Sequence, residues 1–164
     1  MDRVNEQEEV SLRPATPDDE AFLLDVYAST RLEELAGTDW DDNQKLAFIR
    51  MQFLVRERTY PRVDSKIILL NGRPVGRLMV DRNDEEILLR DIALLTEYRN
   101  AGIGSRLIRE LMQEATSAGK PVHLHVLSMS PAVRLYERLG FRASGNEAEA
   151  AYLEMKWVPA TKLN

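Results

Sequence analysis

The chain has 164 residues, the length of one domain with room for a buried core. Its 22 basic and 27 acidic residues leave a net charge of −5, which weighs against a duplex-binding protein with a basic face. There is no cysteine, which excludes disulfides, thiolate metal sites and a cysteine nucleophile. The two histidines, His123 and His125, leave little material for a three-histidine metal centre or a serine triad.

Residues 1–10 read as a flexible acidic tail without the apolar core of a signal peptide. The longest aliphatic run, Ile67-Ile68-Leu69-Leu70, is far shorter than the ~20 residues of a membrane span. A cytoplasmic protein with no membrane partner and no nucleic-acid partner is therefore expected, with the domain over residues 11–158 and a short tail at 159–164. Ser11 to Ala15 reads as an edge strand. Thr16-Pro17-Asp18-Asp19 follows as a helix start, with a capping side chain, proline at the first turn and acids near the positive dipole end. Phe22, Leu23, Val26 and Tyr27 make a helical stripe that stops by Gly37. Asp41 or Asp42 opens a second helix, with Leu46, Ile49 and Phe53 on its inner face.

From Ser65 the apolar period shortens. Two strands flank an Asn71-Gly72 turn, and a third runs from Glu86 to Leu95, giving three consecutive antiparallel strands. A strongly amphipathic helix follows, with Ile103, Leu107, Ile108 and Leu111 on one face and its end at Gly119. Then come a strand over Val122 to Val126, parallel to its partner across the long crossover, a helix from Ser130-Pro131 to Gly140, and a closing strand pair. The expected fold class is α+β, a mixed and mostly antiparallel sheet flanked by helices in the order β-α-α-β-β-β-α-β-α-β-β.

The segment Arg99-x-x-Gly102-x-Gly104 lies between a strand and a helix. Glycines let the backbone approach a ligand closely. The following helix start offers unpaired N–H groups and a positive dipole end. Such a segment is suited to phosphate or pyrophosphate, with Arg99 as a charge-assisted donor; the alternative is a glycine-containing turn with no ligand. A Walker loop fits worse, because Gly104 precedes Ser105-Arg106 rather than Lys-Ser/Thr. A dinucleotide fingerprint is disfavoured by Leu107 at its third glycine.

About 30 residues further on stands Ala132-x-x-Leu135-Tyr136-x-x-x-Gly140-Phe141. The two motifs, in this order and spacing, resemble the GNAT superfamily of acetyl-CoA-dependent N-acetyltransferases, and the element order over residues 10–158 is similar to that family's. The resemblance implies acetyl-CoA as co-substrate, no metal, and direct transfer to a primary amine of a small molecule, amino acid or peptide terminus. It implies that Leu94, Leu95 and Thr96 pair with the pantetheine arm. Arg99, Asn100, Ala101, Gly102, Ile103, Gly104 and Ser105 would wrap the pyrophosphate. The thioester would enter between the strands at 86–95 and 122–126, and Tyr136 would protonate the departing thiolate. The asparagine often found near the start of the last helix is replaced here by Met129-Ser130, where Ser130 is suited to cap the helix.

Other roles are open. Asp91 is the carboxylate expected nearest the acetyl site and Glu86 lies farther along the same strand; the alternative is proton loss through water, with no dedicated base. His123 and His125 share one strand face without a third metal ligand in sequence proximity. Glu33, Glu34, Asp39, Asp41 and Asp42, with Trp40 among them, either draw a cationic amine acceptor, with Glu33 and Trp40 as its contacts, or cap helices at the surface. A catalytically silent acyl-CoA sensor or partner-binding module is the rival to an enzyme. The terminal strands are a candidate surface for a homodimer.

Overall fold

The structure, a computed structural model, describes residues 8–32, 35–59, 64–144 and 152–160. Its seven strands are hydrogen-bonded in the order β1-β2-β3-β4-β5-β7-β6, counted along the chain. The α+β class and the expected order of elements both hold. The chain divides into two compact units, residues 1–79 with 91–101, and residues 80–90 with 102–164.

In the first unit, β1 (Val10–Pro14) pairs antiparallel with β2 (Asp64–Leu70). β1 thus begins one residue inside the stretch expected to be tail. Thr16 opens a short turn of 3-10 helix over Pro17–Asp19, and its amide and hydroxyl both donate to the Asp19 carboxylate. The same carboxylate takes a two-pronged contact from Arg13 at 2.8 and 2.9 Å, and this drives its pKa well below the ordinary carboxylate range. The helix proper, α1, covers Glu20–Arg31, and α2 covers Asp42–Thr59. Asp41 starts α2 as a capping box. Its carboxylate accepts from the Gln44 amide at 2.8 Å while its own amide donates to the Gln44 side chain at 2.9 Å. Leu23 and Tyr27 of α1 meet Ile49 and Phe53 of α2 over Ile67 of β2, which makes this unit's apolar core.

β2 turns into β3 (Arg73–Arg82) through Asn71 and Gly72, both at positive φ, as an Asn-Gly hairpin turn requires. β4 (Ile87–Leu94) comes next, and its last residues, from Asp91, belong to the first unit. Here β3 passes unusually close. A Cβ added at Gly76 would collide with the Ala93 carbonyl oxygen and stand 2.8 Å from Leu94 Cδ2.

In the second unit, β4 pairs parallel with β5 (Val122–Leu127) over Ile87–Leu89 and Val122–Leu124, as the crossover length predicted. β5 pairs antiparallel with β7 (Tyr152–Trp157), which carries the two-residue β6 (Arg142–Ala143). The crossover is α3 (Ile103–Ala118), whose apolar stripe Ile103, Leu107, Ile108, Leu111 and Ala115 is buried. Arg82 clamps Glu114 of α3 at 2.6 and 3.0 Å. The last helix, α4 (Ala132–Leu139), starts where Ser130 Oγ accepts from the Ala132 amide at 3.1 Å, the capping role expected of that serine. Among the described residues no helix is long and apolar enough to cross a membrane.

Candidate functional site

The candidate cofactor residues begin where β4 ends. The Leu95 amide donates to the Val75 carbonyl at 2.9 Å, and a single 3-10 turn over Thr96–Tyr98 follows. Thr96 is exposed, and Leu94 and Leu95 are half-buried. The Arg99 guanidinium turns back into its own unit: Nε donates to the Leu94 carbonyl at 3.0 Å, and Nη2 donates to Ser29 Oγ at 3.2 Å. The charge-assisted phosphate contact expected of this side chain must therefore compete with two internal partners. Asn100 sits at φ 60°, in the left-handed region that asparagine tolerates better than most residues.

The chain then enters α3. Gly102 is at φ 89°, so any side chain there would be strained even though a Cβ would meet nothing. Arg106 is the residue that returns a hydrogen bond to the Gly102 carbonyl, at 3.1 Å. The first-turn amides of Ile103, Gly104 and Ser105 thus have no acceptor within the helix, the usual condition of a helix start. Ala101 and Ile103 are buried and hold this start in place, while Gly104 and Ser105 are half-buried. Two left-handed residues leading into a helix start are a backbone arrangement suited to an anion. The chemistry of this helix start, backbone N–H donors with no acidic residue in its first turn, is compatible with a phosphate group.

The candidate acid and base have contrasting surroundings. Tyr136 lies in α4 with 8% exposure, its ring edge-on to Phe141 at 5.7 Å between centroids. Asp91 lies in the first unit, a quarter exposed, 3.4 Å from Arg56. Burial pushes its carboxyl above the ordinary range, against the opposing pull of Arg56, Arg77 and Arg31. Arg31 and Arg56 also stand over the Tyr27 ring, at 5.1 and 5.8 Å. Arg77 is almost fully buried and contacts Glu57 at 2.7 Å and Ser65 at 3.1 Å. None of these arginines was singled out from the sequence. Only the fold brings Arg31, Arg56 and Arg77 within electrostatic reach of Asp91.

Of the acceptor candidates, Glu33 lies outside the described residues. Trp40 is 39% exposed and packs edge-on to Phe48 at 5.1 Å. His123 and His125 alternate with buried Val122, Leu124 and Val126, as a half-exposed strand face should. His123 Nδ1 stands 2.9 Å from Glu86 and 3.7 Å from Glu154. Among the described residues, no group of three or more His, Cys, Asp or Glu side chains is placed to hold a metal. A cleft of about 550 Å³ in the first unit is lined by Leu23, Phe53, Glu57, Ser65 and Arg77, among others, and none of the candidate residues lines it.

The profile of the Acetyltransferase (GNAT) family matches residues 22–141. The chain belongs to that family of acetyltransferases. It is similar to the Bacillus subtilis "Uncharacterized N-acetyltransferase CgeE", 28% identical over 97 residues, covering 52% of this chain and 38% of the relative. It is also similar to the Xenopus tropicalis "Probable N-acetyltransferase camello", 29% identical over 133 residues, covering 73% of this chain and 61% of the relative. The chain thus spans less than two thirds of the length of either curated relative. Among solved structures, PaiA N-acetyltransferase from Thermoplasma acidophilum, determined in complex with coenzyme A, shares the fold. Its TM-score is 0.68 at 17% identity, covering 92% of this chain and 99% of that one.

Proposed function

We propose that the protein moves an acetyl group from acetyl-CoA directly to a primary amine, on a small molecule, an amino acid or a peptide terminus. The observation that carries this reading is the segment from Asn100 to Ser105, where two positive-φ residues lead into a helix start inside the residues matched by the family. The amides of that helix start hold the pyrophosphate, and the backbone at Leu94, Leu95 and Thr96 pairs with the pantetheine arm. Because the Leu95 amide is already spent on Val75, pairing falls to the remaining groups of that segment.

Bound acetyl-CoA supplies an activated acyl group as a thioester. The acceptor nitrogen forms a C–N bond to the acyl carbon as the C–S bond breaks. Asp91 accepts the proton that the amine sheds. Its raised pKa suits a base working nearer neutral pH than an ordinary carboxylate would. The Leu94 amide is the candidate donor to the carbonyl oxygen, where charge develops. The Tyr136 hydroxyl gives its proton to the departing thiolate. Trp40, with an exposed ring, and Glu33 receive the acceptor, and the preference is for a cationic amine.

Thiol release from acetyl-CoA, measured against a panel of polyamines, aminoglycosides, basic peptides and neutral amines, tests this. Turnover with at least one amine, fastest among the cationic ones, is expected. Acetyl-CoA binding without thiol release from any amine would instead make the protein a silent acyl-CoA sensor. The chain's lack of cysteine keeps protein thiols out of the readout.

A further inference from the structure

We infer that Arg99 is a positioning residue, one that ties helix α1 to the end of β4 and so sets the edge offered to the donor. Three hydrogen bonds run in series. Arg99 Nε donates to the Leu94 carbonyl at 3.0 Å, Arg99 Nη2 donates to Ser29 Oγ at 3.2 Å, and Ser29 Oγ donates onward to the Val26 carbonyl at 2.7 Å. Val26 is 1% exposed, so the far end of this tether is fixed in the core. The near end is the last residue of β4, which Gly76 already allows β3 to press against.

Two features make the tether specific to these side chains. A guanidinium presents donors in a rigid fork, so Nε and Nη2 reach two acceptors in different directions at once, which the ammonium of lysine cannot reproduce. Ser29 lies in the last turn of α1 and uses its hydroxyl in both senses, donating to the Val26 carbonyl and accepting from Arg99. The Leu94 carbonyl retains a second lone pair, so orienting it leaves it able to accept from a ligand. A one-ångström displacement of such a group degrades a positioned reaction out of proportion to its cost in stability. The consequence drawn for catalysis rests on the proposed donor reading of Leu94, Leu95 and Thr96. It assigns Arg99 to orienting that edge instead of to the phosphate.

The test compares Arg99→Lys, Ser29→Ala, Ser29→Thr and the double variant Arg99→Lys/Ser29→Ala in the full chain. Amide hydrogen exchange on the protein without ligand reads the tether itself. Faster exchange by about 2- to 10-fold is expected around residues 94–99 in both Arg99→Lys and Ser29→Ala, the range of one net hydrogen bond. Alanine is the better helix former, so a loss of order in Ser29→Ala does not come from weakening α1. Ser29→Thr, which keeps the hydroxyl, is expected to exchange as the parent does. The double variant is expected to match Arg99→Lys alone, the non-additivity of residues acting in series. In turnover, Ser29→Ala is expected to lower kcat, although Ser29 itself is not among the residues proposed to touch the donor.

A contrary pattern would overturn the inference: Arg99→Lys near the parent in coenzyme A affinity, Ser29→Ala silent in exchange and turnover, and additive effects in the double variant. That pattern describes a plain phosphate ligand. Failure of the parent protein to bind coenzyme A would sink the donor reading instead, and the exchange experiment distinguishes the two because it contains no ligand.

Discussion

The segment from Arg99 to Ser105 and the surroundings of Asp91 solve opposite electrostatic problems. The first assembles weak positive ends, backbone amides and a helix dipole, with no acidic residue in the first turn of α3. The second crowds three arginines around one carboxylate and still leaves its pKa raised, because burial outweighs their attraction. One region depends on backbone conformation, the other on side chains brought from α1, α2 and β3. The first is therefore vulnerable at glycines and the second at charges.

The largest effect expected anywhere falls on Tyr136. Tyr136→Phe removes one oxygen from a side chain only 8% exposed and leaves the ring on Phe141. Turnover should fall by ~10²–10⁴ while coenzyme A affinity and thermal stability stay near the parent values, the signature of a lost general acid. Unchanged turnover by thiol release would reduce Tyr136 to a packing residue.

The next effect tests the backbone side of the contrast. Gly76→Ala forces a Cβ against the Ala93 carbonyl, and backbone cannot swing away as a flexible side chain does. A cost of about 1–3 kcal/mol is expected, with Tm falling about 2–4 °C for each kcal/mol in a chain of this size. Because the collision is with the end of β4, coenzyme A affinity should fall with stability. A stable variant with parental affinity would show that β4 has slack to give.

Arg56 tests the charge side. Of the three arginines that pull the Asp91 pKa down, Arg56 pulls hardest, and burial already raises it. Arg56→Gln should therefore move the acid limb of kcat/KM to higher pH, since that limb reports the base in the free enzyme. The stability profile follows with a fixed sign. A carboxyl whose folded pKa is raised holds its proton more tightly when folded, so its contribution falls as pH rises from the ordinary carboxylate range through the folded value. Arg56→Gln should extend that decline to higher pH. Asp19 has the opposite sign: its depressed pKa gives stability that is complete above the ordinary range and is lost as pH falls. An unshifted acid limb would remove Asp91 from the role of base.

The fold and the glycine-bearing entry to α3 were legible because their signals are local. Asn71-Gly72 marks a turn, the five-residue apolar stripe of α3 marks a helix, and the glycines after Arg99 need no distant partner. The Asp91 environment was not legible. Arg31, Arg56 and Arg77 lie 60, 35 and 14 residues before it, and nothing in the sequence marks any of them as a neighbour of Asp91. Gly76 left a faint trace, a glycine inside an otherwise apolar strand, which is a recognised sign of close backbone approach. Ser29 left none, since a serine in a helix is ordinary until its partner is known. The direction of the Arg99 side chain was likewise beyond the motif, which fixes residue type but not which acceptors lie within reach.

The smallest effect decides what the acids beside Trp40 do. The structure gives Asp41 to the start of α2, where its carboxylate accepts from the Gln44 amide at 2.8 Å. Asparagine caps as well as aspartate and carries no charge, whereas alanine does neither. Asp41→Ala should cost about 1 kcal/mol of stability, and Asp41→Asn should be near neutral. If this carboxylate only caps, both variants keep the parental KM for a cationic amine. The acceptor's charge is then recognised by the exposed Trp40 ring, and Trp40→Leu should raise that KM about 2- to 5-fold, the range of one exposed cation–π contact. A raised KM in Asp41→Asn, at parental stability, would instead return the acidic turn to the acceptor site and make its capping role incidental.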